Sequence, residues 1–403
     1  MKVAIISSYC LDSSIPLAKH LGDKNISVFL YGIIPQYDQN TFVVDFTYDK
    51  QPNGFIDKEI LQKRLGIALC GYLSKINFDM FIYPAGAGKK AYLNDIYQAF
   101  KFSRHIINGK YNVVHLIHTA NRFSLLLLHF LKDQQLVQTL HEVTAHSGDT
   151  SGFSLKILKN LIVKNIPVIF NSNISKERFL QFRNSISTTK YSSNIYTMIR
   201  FSLYETYLYF EPAIKSPVVK LLPGIPIILH FGRVVPYKGI DILIDAVKLI
   251  QQRMPVHLIV AGGGEPYFNF DEINSYQFLN YSISNEEVVD LIKNASIVVC
   301  PYRSASQSGI PMTVYPFNKP IIASNIGGFK EIIKDNITGL LVENLDASSF
   351  AIAIEKLLVN NTLRDSMSAN IATEFTEGEF SWANIAAATF QFYKENNKLL
   401  AIR

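Results

Sequence analysis

The sequence is poor in cysteine and has no long apolar run. Its 403 residues include three cysteines, Cys10, Cys70 and Cys300, and none of them forms a CxxC pair. This distribution excludes a disulfide scaffold and a thiolate zinc site, and it favours a reducing compartment. The longest apolar stretch, 123–131, is interrupted by a serine and a histidine and is far shorter than the roughly 18 residues that cross a bilayer. We therefore expect neither a secreted nor an integral membrane protein.

The amino terminus also lacks the apolar core of a signal peptide. The apolar residues Val3 to Ile6 stand before Ser7, and Asp12 follows soon after. A run this short predicts a first buried strand instead. Apolar residues make up 48% of the chain and charged residues 18%, which is typical of a globular protein with substantial cores. The length of the chain predicts two to three domains.

Charge is spread unevenly along the chain. Residues 1–225 hold 25 of the 39 basic and 15 of the 33 acidic side chains, so they carry a net charge of +10 and the remaining residues carry −4. This asymmetry predicts two domains with different partners. Two interpretations of the basic half stay open: a solvated surface, or contact with a polyanion, an anionic membrane face or a phosphate-bearing acceptor. Nucleic acid is not expected, because no binding signature accompanies the charge.

Short apolar strands alternate with helical stretches along the chain. In the first half, strands such as Lys2–Ile6 and Phe78–Tyr83 end at polar or small residues. After the breaker pair Pro223-Gly224 the pattern restarts with the strand Pro226–Phe231. Repeated βα units predict an α/β fold with two Rossmann-like doubly wound domains that face each other across a cleft. Ligands of such sheets bind beyond the carboxyl ends of the strands, so residues just after strands are the candidates.

The strongest candidate site lies within residues 229–250. A strand delivers Gly232 and Arg233 to its carboxyl end, a short loop brings Lys238 and a further glycine, and a helix follows. Arginine binds two oxygens at once and lysine is a mobile point charge, so the pair suits a diphosphate. The helix N terminus is expected to add backbone N–H donors. The alternative is that both cations are ordinary surface charges.

Two further loops with glycines follow strands. Gly262 to Gly264 permit close approach of a ligand to the backbone, although such a loop also serves as a plain tight turn. Farther along, Ser306, Gln307, Ser308 and Gly309 precede a helix. Exposed amides at the start of that helix are suited to an anion or to sugar hydroxyls.

These motifs resemble a known family. The segments FGRVVPYKGIDILIDA and PIIASNIGGFKEIIKDNITGLLV resemble the donor domain of GT-B retaining glycosyltransferases of family 4. In the first half, QTLHEVTAHSG is similar to the family's His-Asp loop, with His141 and Glu142 at the paired positions. Phe380-Ser381-Trp382 resembles the tail helix that crosses back. The expected domains are 1–220 on the acceptor side, 221–380 for the nucleotide sugar, and a returning helix at 381–403.

The resemblance implies a reaction. A nucleotide-diphosphate sugar would bind mostly to the second domain, and an acceptor hydroxyl would attack its anomeric carbon with retention, without a metal or other cofactor. Arg233 and Lys238 would stabilise the charge on the leaving diphosphate. His141 would contact the donor sugar or stabilise the forming charge, and a purely structural role for this lone histidine stays open. The expected donor-binding residues are Gly232, Gly262, Gly263, Tyr281, Ser306, Gln307, Ser308, Gly309 and Thr313.

The donor loop departs from the family pattern. The family's two glutamates, eight positions apart, fall here at Ala305 and Thr313, neither of which is acidic. Thr313 can make at most one hydrogen bond of the kind expected to the ribose, while Gln307 can still donate and accept. A Gln-Ser-Gly loop is a variant of the family, so activity is expected. The alternative stays open that the chain is a catalytically silent GT-B subunit, which binds nucleotide or a partner glycosyltransferase.

The acceptor-side residues are expected in the first domain. Ser8 lies in the loop after the first strand, and Lys89 lies in PAGAGKK, which lacks the spacing of a P-loop. The resemblance adds Glu142 and His146. His141 and His146 are not expected to bind a metal, because their separation by five residues suits no known ligand pattern.

A basic group in the first half fits a peripheral membrane face, as expected if the acceptor is lipid-linked. Its members are Lys156, Lys159, Lys164, Lys176 and Arg178. We thus expect a cytoplasmic transferase, suited to the inner membrane face, in cell-surface polysaccharide or glycoconjugate biosynthesis. Its partners would be a nucleotide-sugar donor, a glycan or lipid-linked acceptor and an anionic membrane surface. Another GT-B activity, a sugar epimerase or phosphorylase, is a third interpretation, and no lysine-bound cofactor motif supports the phosphorylase.

Overall fold

The chain divides into two compact units. The computed structural model describes residues 1–8, 10–38, 41, 43–46, 50–86, 88–117, 121–140, 153–186, 196–210, 222–304 and 308–400. The first unit comprises Met1–Ser202 together with Glu379–Arg403, and the second comprises Leu203–Gly378. The first unit is therefore built from two separate stretches of sequence, whereas the second is continuous.

The first unit is built on an eight-stranded sheet in the order β3-β4-β2-β1-β5-β6-β7-β8. All the pairings in it are parallel except that of β3 with β4. The strands are β1 Lys2–Ser7, β2 Ser27–Pro35, β3 Gly54–Phe55, β4 Asn77–Tyr83, β5 Val113–Ile117, β6 Leu136–Leu140, β7 Val168–Phe170 and β8 Tyr196–Met198. The helices are α1 Leu11–Gly22, α2 Lys58–Tyr72, α3 Lys89–Asn108, α4 Arg122–Phe130, α5 Phe153–Val163, α6 Asn173–Ile186 and, from the end of the chain, α13 Trp382–Leu400.

Helices cover both faces of this sheet, as is usual for parallel strands joined by helical crossovers. Successive side chains of a strand therefore enter two different core layers. Val114 and Leu116 of β5 join one core cluster with residues of α3, α4 and α5. His115, between them, is fully buried on the other face, where its Nδ1 lies 2.7 Å from the hydroxyl of Tyr393 on α13. Its Nε2 lies 2.7 Å from the hydroxyl of Thr139. Helix α13 also packs against α1, so the end of the chain completes the first unit.

The second unit holds a six-stranded parallel sheet in the order β11-β10-β9-β12-β13-β14. The strands are β9 Ile227–Phe231, β10 His257–Ala261, β11 Tyr276–Leu279, β12 Ile297–Cys300, β13 Ile321–Ser324 and β14 Gly339–Val342. The helices are α7 Ile240–Gln251, α8 Asn285–Asn294, α9 Ile310–Val314, α10 Phe329–Ile332, α11 Ala347–Val359 and α12 Asn361–Thr376. Helix α7 buries the apolar stripe that its sequence predicts, and it packs against α11 in the core.

The units divide earlier in the chain than the predicted boundary at 220. Tyr204 already belongs to the second unit, because its backbone N–H donates to the carbonyl of Met312 at 2.9 Å. Ser202 belongs to the first unit, where its hydroxyl donates to the carbonyl of Phe380. These two bonds agree with a division between residues 202 and 203, which the apolar pattern does not reveal.

Candidate functional site

The carboxyl ends of β9 and β10 meet backbone to backbone. The N–H of Gly232, which follows β9, donates to the carbonyl of Ala261 at 2.9 Å. A Cβ atom on Gly262, which has φ +143°, would lie 2.1 Å from the carbonyl oxygen of Gly232, whose own φ is +114°. No residue with a side chain fits that contact at Gly262, and the positive φ of Gly232 favours glycine there as well. The result is a strand end that presents bare backbone.

The two predicted cations follow directly but differ in exposure. The side chain of Arg233 is exposed, whereas Lys238 is only 9% exposed. The short 3-10 helix Pro236–Lys238 ends at Gly239, where φ is +66° and a Cβ would lie 2.0 Å from the carbonyl oxygen of Pro301. This close backbone contact holds the loop against the residue that follows β12, and Lys238 is buried beside it.

Lys238 is held by an aromatic side chain that the sequence motifs did not single out. Its ammonium donates a hydrogen bond to the hydroxyl of Tyr302 and lies 4.0 Å from the centroid of the same ring. A Cβ on Gly232 would lie 3.5 Å from the Lys238 Nζ and 4.0 Å from Ile310, the first residue of α9. The structure therefore brings Gly232, Lys238 and Tyr302 together with the start of α9.

Burial and a second cation both weaken the charged form of Lys238. Burial lowers its pKa to about 8, and nearby Arg233 acts in the same direction. Burial also lowers the pKa of His230 to about 4, so this imidazole is neutral at pH 7. Its Nδ1 hydrogen-bonds the carbonyl of Val299 at 2.9 Å, and its Nε2 is buried without a partner among the described residues.

No carboxylate neutralises either cation within the described part of the chain. The ion pairs of the second unit join other side chains, such as Arg303 with Asp241 and Lys334 with Glu374. A buried ammonium without a counter-ion is unfavourable in the free protein. It becomes favourable once an anion binds next to it, so the arrangement is suited to an anion.

The N terminus of α7 does not supply the donors that the sequence predicted. The N–H of Ile240 donates to the hydroxyl of Tyr267 at 2.9 Å, and that of Gly239 donates to the carbonyl of Pro236. The carboxylate of Asp241 accepts from its own N–H and the next one, and Arg303 holds it with two bonds of 2.8 and 2.5 Å. The expectation of free amides at this helix is therefore wrong, because Tyr267 and the helix's own Asp241 already accept from the first amides.

The donor loop is described only in part. Ser306 and Gln307 lie outside the described residues. The hydroxyl of Ser308 accepts from the N–H of Ile310 at 3.3 Å and hydrogen-bonds Tyr302. Thr313 is buried, and its hydroxyl donates to the carbonyl of Gly309 at 3.1 Å. Since that bond uses the only proton of the hydroxyl, Thr313 is left as an acceptor alone.

Tyr281 lies beside the glycine loop. Its main-chain carbon would be 3.4 Å from a Cβ on Gly263. Its exposed ring is fixed by a bond of 2.9 Å from its hydroxyl to Glu287, which also forms a capping box with Ser284 at the start of α8. This geometry holds an aromatic ring next to the backbone of the predicted donor side, and the role of the ring stays a prediction.

The predicted acceptor side is quite different in chemistry. Ser8 is buried, and its N–H donates to the carbonyl of Ile117 at 3.3 Å. The hydroxyls of Ser7, Ser8 and Ser14 are buried without partners among the described residues. Asp12, in the same segment, was not anticipated, and burial raises its pKa to about 7. Lys89 starts α3 and is exposed, and no described contact joins it to Ser8.

Several predicted residues cannot be placed. His141, Glu142 and His146 lie outside the described residues, so their roles stay predictions. Among the residues that are described, no group of three histidine, cysteine, aspartate or glutamate side chains is arranged to hold a metal ion. In the same residues, no helix combines the length and the apolar character needed to cross a membrane.

Comparison with known proteins adds to this geometry. Residues 225–360 match the family model described as Glycosyl transferases group 1. An uncharacterized glycosyltransferase of Methanocaldococcus jannaschii, MJ1178, is 31% identical over 172 residues, which are 41% of this chain and 47% of that protein. A D-inositol 3-phosphate glycosyltransferase of Paenarthrobacter aurescens is 27% identical over 179 residues, which are 42% of this chain and 43% of the relative. The chain thus spans less than half the length of these curated relatives.

Solved structures match over nearly the whole chain. The HepE protein Alr3699 of Anabaena, in complex with UDP and glucose, aligns with a TM-score of 0.65 at 16% identity, covering 98% of this chain and all of that one. Sucrose-phosphate synthase of Thermosynechococcus elongatus aligns with a TM-score of 0.63 at 18% identity over the full length of both. The chain therefore has the GT-B fold, as predicted from its sequence, and its second unit is similar to Glycosyl transferases group 1.

Proposed function

We propose that the protein is a glycosyltransferase that moves a sugar from a nucleotide-diphosphate sugar to a hydroxyl group. The observation that carries the proposal is the pair Lys238 and Arg233 beside the bare backbone of Gly232, with no carboxylate paired to either cation among the described residues. A diphosphate is the ligand that such a site stabilises best.

The chemistry follows from where charge develops. As the bond between the anomeric carbon and the diphosphate breaks, negative charge accumulates on the leaving oxygen. Lys238 is already oriented by Tyr302 and partly desolvated, so its charge acts without rearrangement. Arg233 is exposed and supplies a second, mobile donor fork. We infer that these two cations stabilise the leaving group and that no metal ion is required.

The donor contacts are assigned in the second unit. The backbone at Gly262 and Gly263 and the ring of Tyr281 lie together, as the contact of Gly263 with the Tyr281 backbone supports. We propose that they surround the nucleotide and that the Ser306–Gly309 loop with Thr313 faces the sugar and ribose. Because a structural neighbour was solved with UDP and glucose, uridine donors come first in any screen.

The acceptor and the outcome complete the proposal. We infer transfer with retention of anomeric configuration to a glycan or lipid-linked acceptor, in the biosynthesis of a surface polysaccharide or glycoconjugate, as a family 4 enzyme at the inner membrane face. His141 contacts the donor sugar or stabilises the forming charge, and Ser8, Lys89, Glu142 and His146 face the acceptor. The buried, unpartnered hydroxyl of Ser8 supports this side, because a polar ligand would give it a partner.

A second candidate is a silent GT-B subunit that binds nucleotide or a partner glycosyltransferase without turnover. One observation favours it. The only side chain described at the two usual glutamate positions is Thr313, and its hydroxyl donates to its own helix. A donor loop without a carboxylate at this position holds the ribose less tightly, so binding and catalysis need not go together.

The test separates binding from turnover. Thermal unfolding is followed with UDP, GDP and ADP for the natural protein, Arg233→Ala and Lys238→Ala, with Lys293→Ala, an exposed lysine of the same unit, as the control. We expect one of the nucleotides to raise the melting temperature of the natural protein and of the control. The same nucleotide should leave the melting temperatures of Arg233→Ala and Lys238→Ala unchanged. Equal stabilisation of all four proteins would contradict the proposal.

Turnover is measured next with the matching nucleotide sugars and a crude lipid or glycan acceptor, and the product is identified by mass spectrometry. A sugar added to the acceptor, lost in both site variants, supports the transferase. Nucleotide binding with no product across the donor panel supports the silent subunit instead.

A further inference from the structure

One helix of the first unit carries an apolar stripe that faces away from the core. Leu93, Tyr97, Phe100, Arg104 and Ile107 of α3 follow one another at intervals of four, three, four and three residues, which places them on one side of the helix. Leu93 is 65% exposed, Tyr97 60% and Phe100 45%. We call these five residues the outer stripe of α3.

The opposite side of α3 fixes this orientation. Ala99, Phe102 and Ile106 are fully buried in the core cluster that they share with the sheet. The outer stripe is therefore not needed to fold the unit, since the helix already buries a complete apolar face. Exposed aromatic and aliphatic side chains in such a row are uncommon on a surface that meets only water.

The charges around the stripe have one sign. Lys89, Lys90 and Lys101 are exposed on the same helix, and Arg104 lies within the stripe, with its guanidinium 5.9 Å from the Phe100 ring. The only acidic residue of α3, Asp95, is buried and paired with Arg122. The outer side of α3 thus combines apolar groups with four cations and no anion.

The same character continues on the neighbouring helices. Helix α3 packs against α4 and α4 against α5, and Phe100 meets Phe130 of α4 with ring centroids 5.7 Å apart. On α5, Leu155 and Val163 are exposed, and Lys156 and Lys159 are exposed beside them. The three helices therefore form one layer whose outside is basic and apolar.

We infer that this layer docks on the surface of an anionic lipid membrane, with the outer stripe of α3 entering the headgroup region. The charge of the layer favours a membrane as its partner. Basic side chains bind anionic headgroups, and the apolar and aromatic groups between them contact the acyl chains below. A second copy of the chain would bring the same cations face to face. The inference deepens the proposed lipid-linked acceptor and rests on that part of the proposed function.

The position of the layer is suited to such an acceptor. Helix α3 follows β4, so its first residues, Lys89 and Lys90, lie near the carboxyl ends of the parallel strands. Ser8, which follows β1, lies on the same carboxyl-terminal side of the sheet, because β1, β2 and β4 are parallel. A membrane held against α3 would present a lipid-linked hydroxyl to the side of the sheet on which the acceptor is expected.

Vesicle flotation tests the inference with no donor or acceptor present. The vesicles are phosphatidylcholine alone or with about one third phosphatidylglycerol, and each basic residue near the anionic surface is expected to contribute about fivefold in affinity. The apolar variant is Leu93→Ser with Tyr97→Ser and Phe100→Ser, and the charge variant is Lys90→Glu with Lys101→Glu and Arg104→Glu. We expect the natural protein to float only with the anionic vesicles, the charge variant to bind at least about 100-fold more weakly, and the apolar variant to lose binding at high salt.

Matched controls place the same changes elsewhere on the first unit. Ile60→Ser with Ile67→Ser removes exposed apolar groups of α2, and Lys24→Glu with Lys50→Glu and Lys63→Glu makes the same change in net charge. Both controls are expected to float like the natural protein, and all variants to keep its melting temperature.

Three results would overturn the inference: no flotation of the natural protein, equal loss in the controls, or a dimer in solution that the α3 variants convert to monomers. The last result would assign the stripe to a second copy. Transfer to a water-soluble acceptor fragment is measured in parallel, so a failed proposed function and a failed membrane surface give different outcomes.

Discussion

The first strands of the two units end in opposite ways. In the second unit, β9 ends at bare glycine backbone, with a buried lysine and an exposed arginine close behind it. In the first unit, β1 ends at Ser7 and Ser8, whose buried hydroxyls have no partner in the described residues. Both strands lie between two parallel neighbours in a doubly wound sheet, so the fold does not cause the difference.

The difference shows which kind of ligand each end can recognise. A doubly charged phosphate group needs concentrated positive charge, and Lys238 provides it at the cost of a depressed pKa. A neutral hydroxyl needs only hydrogen-bonding partners, which the serines offer. We expect changes at the β9 end to alter nucleotide binding, and changes at the β1 end to alter acceptor use alone.

The largest loss of stability and of nucleotide binding is expected at the close backbone contact between Gly262 and Gly232. Gly262→Ala places a Cβ 2.1 Å from the Gly232 carbonyl oxygen, so the loop must shift, and we expect nucleotide binding to be lost with a destabilisation of about 3 kcal/mol. Calorimetry and nucleotide titration check both. Gly71→Ala, at a helical glycine with no atom within 4 Å of the new Cβ, is the control that should remain stable, and a normal Gly262→Ala protein would show that the contact does not matter.

The next effect concerns the residue that positions Lys238. Tyr302→Phe keeps the ring under the ammonium but removes the hydrogen bond, so we expect nucleotide affinity to fall about tenfold. Tyr302→Leu removes the ring as well, and the fall should reach about 100-fold. Isothermal titration gives the two values. Tyr315→Phe, which removes another buried hydroxyl of the same unit, should bind normally, and a matching loss there would indicate a general packing defect.

A smaller effect is expected from pH. The pKa of Lys238 is lowered to about 8, so the ammonium is mostly charged at pH 7 and loses its proton as the pH rises through 8. Affinity for a nucleoside diphosphate should be flat from about pH 7 to 7.5 and then weaken by up to about tenfold per pH unit. Lys238→Arg stays charged and should bind without this dependence. A flat profile in the natural protein would mean that the cation does not contact the diphosphate.

The smallest effect is expected at the β1 end. Ser8→Ala removes a buried hydroxyl that has no partner in the described residues, so stability should be unchanged or slightly higher, while the acceptor KM rises about threefold and donor affinity stays constant. Ser13→Ala is the matched control, since that hydroxyl donates to the Cys10 carbonyl at 3.1 Å and its loss should cost up to about 1 kcal/mol. A rise in donor KM for Ser8→Ala would contradict the claim that the β1 end affects acceptor use alone.

The sequence was informative wherever neighbouring residues act together. The order of residues after an apolar strand predicted Gly232 and Arg233 at the strand end, Lys238 in a short loop and then a helix, and the structure has this order. The same local reasoning predicted the alternating strands and helices of both units and hence the fold class.

Long-range partners could not be predicted in the same way. Tyr302, which holds Lys238, is 64 residues away in the chain, and Arg303, which holds Asp241 at the start of α7, is 62 residues away. Near the division of the units at residue 202, Ser202 bonds to Phe380 and Tyr204 to Met312, and apolar periodicity gives no signal for either partner. The close contact of Gly239 with Pro301, next to the buried Lys238, likewise joins residues 62 positions apart.

The return of α13 to the first unit sets an order of events during synthesis. Residues 203–378 are contiguous and leave the ribosome as a complete unit. The first unit must wait until Tyr393 is made before the imidazole of His115 gains that partner. During that interval the surface that α13 will cover, including part of α1, is open to water. The half of the molecule that is translated first is therefore completed last.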